Sequence, residues 1–336
     1  MLKKSITVVI FFIMLSSGCV QAEGIQDIID DIKQMELDSE NDYSEIGKIK
    51  LTTLSYLYTM PRENVPPEVV EFSNSVKDFL NDFESGYQRT QSESTVEREK
   101  AIEDMKALKN EVKRIEAQSN GLGEKDPRDI AEDASNVVNK FLDDEGDYFM
   151  ELFGDGDVTP LRIIYLNNSI DAYGSSGNAG DRDEALREYA EITAEFDEAM
   201  RIVNEKKQSA GALIANARGS ENSSSPMELF SAFMDAQRAA NDLSDAERKC
   251  IEHKLDLNES IEYAYVRGYN KLYIEISDEQ YAASELSKMI FGSLLKYIVI
   301  FSAIAITIIT ILTRAYLTYR YDTEDTKLSD ELVFAK

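Results

Sequence analysis

The sequence predicts an all-α protein, built as an elongated helical bundle or as coiled-coil-like hairpins, with one transmembrane helix near its C-terminus. Across residues 23–288, apolar side chains recur every three or four positions between helix start signals, and no stretch alternates as a strand does. A second observation is an uncharged apolar run that begins at Tyr297. The third is composition, because 43% hydrophobic and 29% charged residues suffice for a packed core.

Residues 1–22 have the pattern of a secretory signal peptide. Lys3 and Lys4 precede an apolar run from Ile6 to Leu15, and Val20-Gln21-Ala22 supplies the small residues that suit cleavage. The apolar run is shorter than the roughly 20 residues that a membrane span requires. We therefore expect this segment to direct export and then to be removed.

A second pattern lies inside the first, because the pentapeptide Leu15–Cys19 resembles the lipobox of bacterial-type lipoproteins. The resemblance implies that Cys19 would be acylated and would become the new N-terminus. Leu15 stands one position earlier than the leucine of that family, so the match is incomplete. Simple cleavage, lipidation at Cys19 and retention of the segment as an anchor remain alternatives.

Residues 23–288 are predicted to form a series of amphipathic helices. The prolines from Pro61 to Pro67 interrupt the series, and Pro67 suits the first position of a new helix, where a missing N–H costs nothing. The predicted apolar faces are Ile25, Ile28, Ile29 and Ile32; then Phe72, Val76, Phe79, Phe83 and Tyr87; then Ile102, Met105, Leu108, Val112 and Ile115. Because the last face has a spacing near 3.5, it fits either a coiled-coil arm or one arm of an intramolecular bundle.

Later helix starts are indicated by capping residues and prolines. We expect helices to begin at Asp126-Pro127, Thr159-Pro160, Asp181, Ser225-Pro226 and Ser244-Asp245. The helix from Thr159 is expected to stop at Gly174. From Asp245 onward we expect one helix that continues into the membrane.

Residues 289–313 are predicted to form the transmembrane helix, and residues 314–336 a short cytoplasmic tail. Tyr297 to Thr313 contains no charged residue, while Lys296 and Arg314 can extend their charged ends to the two membrane surfaces. The signal peptide places the residues that follow it outside, and the flanking Lys and Arg residues add little to this orientation. The sequence thus predicts a single-pass protein of the cell membrane, with most of the chain extracytoplasmic.

An acidic stretch offers oxygen ligands for a hard cation. Asp143, Glu145 and Asp147, followed by Asp155 and Asp157, lie in segments that contain glycine, which suggests an acidic loop. Carboxylates in such loops bind Ca²⁺. Neither segment completes an EF-hand, so a Ca²⁺ site and a solvated acidic loop are both retained as hypotheses. No other cofactor is expected.

Two patterns near the C-terminal half have a functional and a structural interpretation. Tyr265, Tyr269 and Tyr273 recur at helical spacing, which fits a partner interface or packing against neighbouring helices. Cys250 and His253 share a helical face, but two ligands do not make a metal site. We expect a packed cysteine beside an exposed histidine.

Three Asn-x-Ser triplets, at Asn167, Asn222 and Asn258, fit N-glycosylation of an exported protein, and Asn222 is expected to be the most accessible. The net charge of -27 argues against nucleic acid as a partner, because phosphates must be met by a surplus of Lys and Arg. The sequence also contains no glycine-rich phosphate loop and no nucleophile elbow.

These features favour a non-enzymatic, membrane-anchored, extracytoplasmic helical protein of the cell envelope that acts by binding or as a scaffold. Its expected partners are the membrane and other envelope proteins or a second copy of itself. The alternative is a ligand-sensing or transporter-accessory subunit, whose partner would contact the span through Ser302, Thr307 and Thr310. A hydrolase that uses carboxylates or a bound cation is a third hypothesis.

Overall fold

A computed structural model describes residues 24–61, 65–257 and 262–334, with side chains up to residue 321. The predicted signal peptide, the lipobox with Cys19 and the glycosylation candidate Asn258 lie outside the described residues. Within those ranges the chain is all-helical and contains no strand, which confirms the predicted class. The chain divides into two compact units, Met1–Thr193 and Ala194–Lys336.

The helices of the described residues follow one another in chain order. They are α1 (Ile25–Gln34), α2 (Ser44–Thr59), α3 (Pro67–Thr90), α4 (Thr95–Leu122), α5 (Lys125–Asp155), α6 (Thr159–Ser176), α7 (Ala179–Ser220), α8 (Pro226–Glu252) and α9 (Ala264–Phe334). A short 3₁₀ helix (Asp38–Asn41) joins α1 to α2. Helix α7 contributes residues to both units.

The first unit has a large hydrophobic core to which α1 to α6 contribute, and a smaller buried cluster is formed by Phe153, Leu166, Tyr173 and Ala185. All members of the three predicted apolar faces are buried in the large core. Its centre is aromatic, since Tyr43, Phe83 and Phe141 approach one another with ring centroids 5.6–5.7 Å apart. Side chains of this size bury the most apolar area per residue, which is why these helices pack together.

Local sequence signals set several helix ends in the first unit. Pro67 is the first residue of α3, as predicted. The hydroxyl of Ser94 accepts the backbone N–H of Glu97 and caps α4. Gly123 follows α4 with a φ of +71°, a left-handed conformation that favours glycine, and its N–H donates to the Ser119 carbonyl.

The second unit contains the end of α7 and the antiparallel pair α8 and α9. Ser225 caps α8 by accepting the Glu228 N–H, as the sequence predicts. Small and aliphatic residues fill the contact between these helices, among them Ala217, Leu229, Ala232, Ala236, Leu286, Ile290 and Leu294. Alanines allow close approach of the helix backbones.

Several predicted helix boundaries were wrong, among them the start at Asp181, since α7 already begins at Ala179. Ser244-Asp245 lies inside α8, because Leu243 and Ala246 are buried and continue its apolar face. Helix α6 passes Gly174 and ends at Ser176, followed by Gly177 at a φ of +95°. A capping residue or a glycine therefore did not outweigh the packing of the surrounding turns.

The predicted continuous helix from Asp245 into the membrane was also wrong, because α8 ends at Glu252 and α9 begins at Ala264. Lys254 adopts a left-handed φ of +56°, and the Leu255 N–H donates to the Cys250 carbonyl at 2.9 Å. Leu255 is fully buried, which is the apolar contact typical of this helix ending. The side chain of Asn270 donates to the Leu255 carbonyl at 3.0 Å and fixes the turn against α9.

Helix α9 nevertheless runs unbroken from the second unit into the apolar segment, as predicted. The part Ala264–Tyr321 is long and apolar enough to cross a membrane, with a mean hydropathy of 2.3 in its most apolar stretch. Only 6% of that stretch is buried, in contrast to a core helix of a soluble protein. Its exposed side chains include Ile298, Phe301, Ile304 and Ile308.

Candidate functional site

The acidic residues Asp143, Glu145 and Asp147 are helical, which corrects the expectation of a loop. They lie within α5, because Phe141, Leu142 and Phe149 are buried and keep this part of the chain in the helix. Their partners are separate: the Ser176 hydroxyl donates to Asp143 at 2.5 Å, the Arg98 guanidinium to Glu145 at 2.8 Å and the Tyr173 hydroxyl to Asp147 at 2.6 Å.

Glu145 forms the most buried ion pair among these contacts, since its side chain is 6% exposed and that of Arg98 is 20% exposed. Burial raises the pKa of Glu145, and the positive charge of Arg98 opposes this effect. The Arg98 guanidinium also lies 3.7 Å from the centre of the Tyr148 ring, a cation–π contact. The pair joins α4 to α5 inside the first unit.

Asp155 and Asp157 lie apart from the other three acidic residues. Asp155 is the last residue of α5, and Asp157 lies in the connection to α6; both are exposed. Among the residues with described positions, no three Asp, Glu, His or Cys side chains are grouped so as to hold a metal ion.

An acidic cleft between α3 and α4 was not predicted from the sequence. Its volume is about 350 Å³, and it is lined by Asp82, Ser85, Arg89, Asp104, Ala107, Leu108 and Glu111. Burial raises the pKa of Asp82, and Asp78 and Asp104 add to the effect. Burial also raises the pKa of Glu111, with Arg114 opposing. Carboxylates gathered in a concave surface attract cations and amines.

Within the cleft, Arg89 neutralises part of the negative charge. Its guanidinium donates to Asp104 at 2.8 Å and to Glu97 at 2.9 Å. The helical spacing of Asp78 and Asp82, four residues apart on α3, was the one signal for this site in the sequence. No sequence signal indicated that α3 and α4 pack side by side as a hairpin.

Cys250 is fully buried, as expected, whereas the expected exposure of His253 was wrong. His253 is 8% exposed, and its ring packs edge-on against Phe196 with centroids 5.4 Å apart. The turn after α8 directs it into the second unit. Burial lowers the pKa of His253 and raises that of the Cys250 thiol to about 11.

The tyrosine stripe, formed by Tyr265, Tyr269 and Tyr273, is partly packed against other residues and partly exposed. Tyr269 is half-buried and packs edge-on against Phe196, at 5.1 Å between centroids. Tyr265 is 56% exposed, and its hydroxyl lies 2.6 Å from that of Tyr269. Tyr273 is half-buried. Tyr265 is thus the member of the stripe that is most open to a partner.

Two glycosylation candidates lie on the described surface. Asn222 is exposed in the turn between α7 and α8, while Asn167 is exposed on helix α6. Within the apolar segment, the hydroxyls of Thr307 and Thr310 donate to the carbonyls of Ala303 and Ile306, each at 2.8 Å. Their hydrogen atoms are therefore used within α9, which leaves the oxygen lone pairs for a neighbouring helix.

No family model matches the chain, and neither a curated protein nor a solved structure matches it.

Proposed function

We propose that the protein is a non-enzymatic, single-pass membrane protein of the cell envelope, which binds other proteins or a second copy of itself as a scaffold. The observation that carries this proposal is the unbroken course of α9 from the second unit through the apolar segment. Between Tyr265 and Tyr297, this helix rises by about 48 Å at 1.5 Å per residue. It would hold the exposed Tyr265 far from the bilayer.

The packing of α8 supports a rigid platform rather than a free helix. Phe233 on α8 packs against Phe291 on α9 with ring centroids 5.5 Å apart, and Leu229 and Leu286 are buried in the same cluster. Lys207 on α7 forms an ion pair with Glu275 on α9 at 2.8 Å. We propose that the helices of each unit act as a bundle that carries binding surfaces.

The proposed orientation places both units outside the cytoplasm and residues 314–336 inside. The predicted signal peptide supports it. Negative charge would keep the exported units soluble and would disfavour contact with anionic surfaces.

Photocrosslinking in cells tests the binding proposal. A photoreactive phenylalanine analogue would replace Tyr265, which is 56% exposed, and in a matched control it would replace Tyr58, which is 57% exposed in the first unit. The two positions share residue type and exposure, so that random collisions contribute equally. We expect discrete adducts from position 265 at a yield several-fold above that from position 58.

The identity of the adduct separates the candidate functions. Adducts with a second copy or with one structural envelope protein would support the scaffold. Adducts chiefly with a transporter or receptor would favour the ligand-sensing or transporter-accessory subunit. If position 265 yields no discrete adduct above the level of position 58, the proposed binding surface is wrong.

A further inference from the structure

The turn between α7 and α8 lies beside the start of the apolar segment. The Tyr297 hydroxyl donates to the Ser224 carbonyl at 3.3 Å, which joins this turn to α9 one residue after Lys296. Lys296 is the last charged residue before the uncharged run that ends at Thr313. The turn is therefore at the level where the proposed membrane span begins.

The antiparallel packing of α8 on α9 sets the depth of individual residues. The rings of Phe233 and Phe291 are in contact. Because the helices are antiparallel, residues that precede Phe233 on α8 lie level with residues that follow Phe291 on α9. Phe230 lies about 4.5 Å and Met227 about 9 Å closer to the span than Phe233, at 1.5 Å of rise per residue. These positions correspond to Leu294 and Tyr297 on α9.

Two large apolar side chains are exposed at this level. Met227 is 82% exposed and Phe230 is 55% exposed, and they lie three residues apart on one face of α8. On α9, Leu295 and Ile298 are 46% and 47% exposed at the same height. Apolar surface on a helix next to a span favours insertion into the boundary between headgroups and acyl chains.

We propose that the start of α8, through Met227 and Phe230, inserts into the lipid interface of the bilayer that α9 crosses. This inference rests on the proposed membrane span. The one carboxylate at the start of α8, Glu228, is exposed, accepts a hydrogen bond from the Ser223 hydroxyl and keeps its charge, so its place is among the headgroups and not the acyl chains. The protein would then have a second contact with the membrane besides the span.

Depth-dependent fluorescence quenching tests the insertion. The full chain, with Cys19→Ser and Cys250→Ala, would carry an environment-sensitive fluorophore at Met227→Cys, Gln237→Cys or Ile300→Cys and would be reconstituted into phosphatidylcholine vesicles. Gln237 is an exposed residue of α8 about 15 Å further from the span than Met227. Because each variant carries the same fluorophore, the affinity of the fluorophore for lipid contributes equally.

We expect lipids that carry a nitroxide near the headgroup to quench the fluorophore at position 227 at least two-fold more than the one at 237. Equal quenching at 227 and 237, with strong quenching at 300, would overturn the insertion and leave the span intact. Absence of lipid quenching at 300 would overturn the span, and the insertion with it.

Discussion

Replacement of Gly146 by alanine tests the packing of α5 against α6. A Cβ atom at this position would lie 2.5, 2.7 and 2.9 Å from three ring atoms of Tyr173, where ordinary contacts are 3.4–4 Å. The ring has little room to move, since Tyr173 is 2% exposed and its hydroxyl donates to Asp147. Gly146→Ala should therefore displace the ring by about 1 Å, enough to relieve the overlap of a rigid side chain.

The change in the free energy of unfolding is the sum of two destabilising effects and one stabilising effect. Overpacking costs about 1–3 kcal/mol, and a weakened hydrogen bond to a carboxylate costs about 1.5 kcal/mol. Alanine gains about 1 kcal/mol over glycine inside a helix. We therefore expect Gly146→Ala to lower the free energy of unfolding of the first unit by about 1.5–3.5 kcal/mol.

Two further glycines provide controls. A Cβ at Gly154, also in α5, would meet nothing within 4 Å, so Gly154→Ala should be neutral or stabilising. A Cβ at Gly86 would clash with the flexible end of Met105 at 2.5 Å and would lie at an ordinary contact distance from Asp104, so Gly86→Ala should cost less than Gly146→Ala. Hydrogen exchange of α5 and α6 peptides in the full chain measures the opening free energies. Equal stability of the Gly146 and Gly154 variants would refute the reasoning.

Three further predictions concern titratable groups. Burial raises the pKa of the Cys250 thiol from its ordinary value of 9.0 to about 11. The thiol should therefore react with a thiol reagent at pH 8 at least about 100-fold more slowly in the folded chain than in urea, and equal rates would contradict its burial. Burial lowers the pKa of His253 from 6.5, and the negative charges of Glu195 and Glu252 oppose this effect. As the pH falls, the unfolded state therefore binds the proton before the folded state does. The second unit should lose stability as pH falls through about 6.5. His253→Gln should flatten this dependence in hydrogen exchange, and an unchanged slope would exclude His253 as its source. Burial raises the pKa of Asp82, so as the pH falls the folded state binds this proton before the unfolded state does. The first unit should therefore gain stability as pH falls from 7 toward the unfolded pKa of 3.8. Asp82→Asn should reduce that gain in urea unfolding.

The helices and their buried faces could be predicted because the information is local. The spacing of Phe72, Val76 and Phe79 specifies one helical face wherever the partner helix lies. Pro67 and Ser225 act within a single turn, which is why both helix starts were confirmed. Such signals need no knowledge of the tertiary arrangement.

The turn after α8 could not be predicted, because its cause is tertiary. A lysine has no preference for a left-handed φ, so Lys254 gave no signal of a helix end. The turn is stabilised by burial of Leu255 and by the amide of Asn270, which lies fifteen positions further along the chain. The same turn carries His253 into the core, which explains why its expected exposure was wrong.

The acidic cleft shows the same dependence on long-range packing. Asp82 and Asp104 lie on different helices, and only the hairpin of α3 and α4 brings them to one surface. In a chain with 63 acidic residues, pairs of carboxylates occur everywhere in the sequence, so composition could not single out this one.

A second membrane contact would matter because one span leaves the second unit free to tilt. A typical tilt of about 20° would move Tyr265, about 48 Å from Tyr297 along α9, sideways by about 16 Å and would lower it toward the bilayer by about 3 Å. Insertion of Met227 and Phe230 would oppose that tilt on one side of α9. We therefore expect the double variant Met227→Gln/Phe230→Gln to broaden the distribution of energy-transfer distances between a donor at Tyr265→Cys and acceptors in the bilayer. Both side chains are largely exposed, so the variant should fold, and an unchanged distribution would show that α9 alone sets the height of Tyr265.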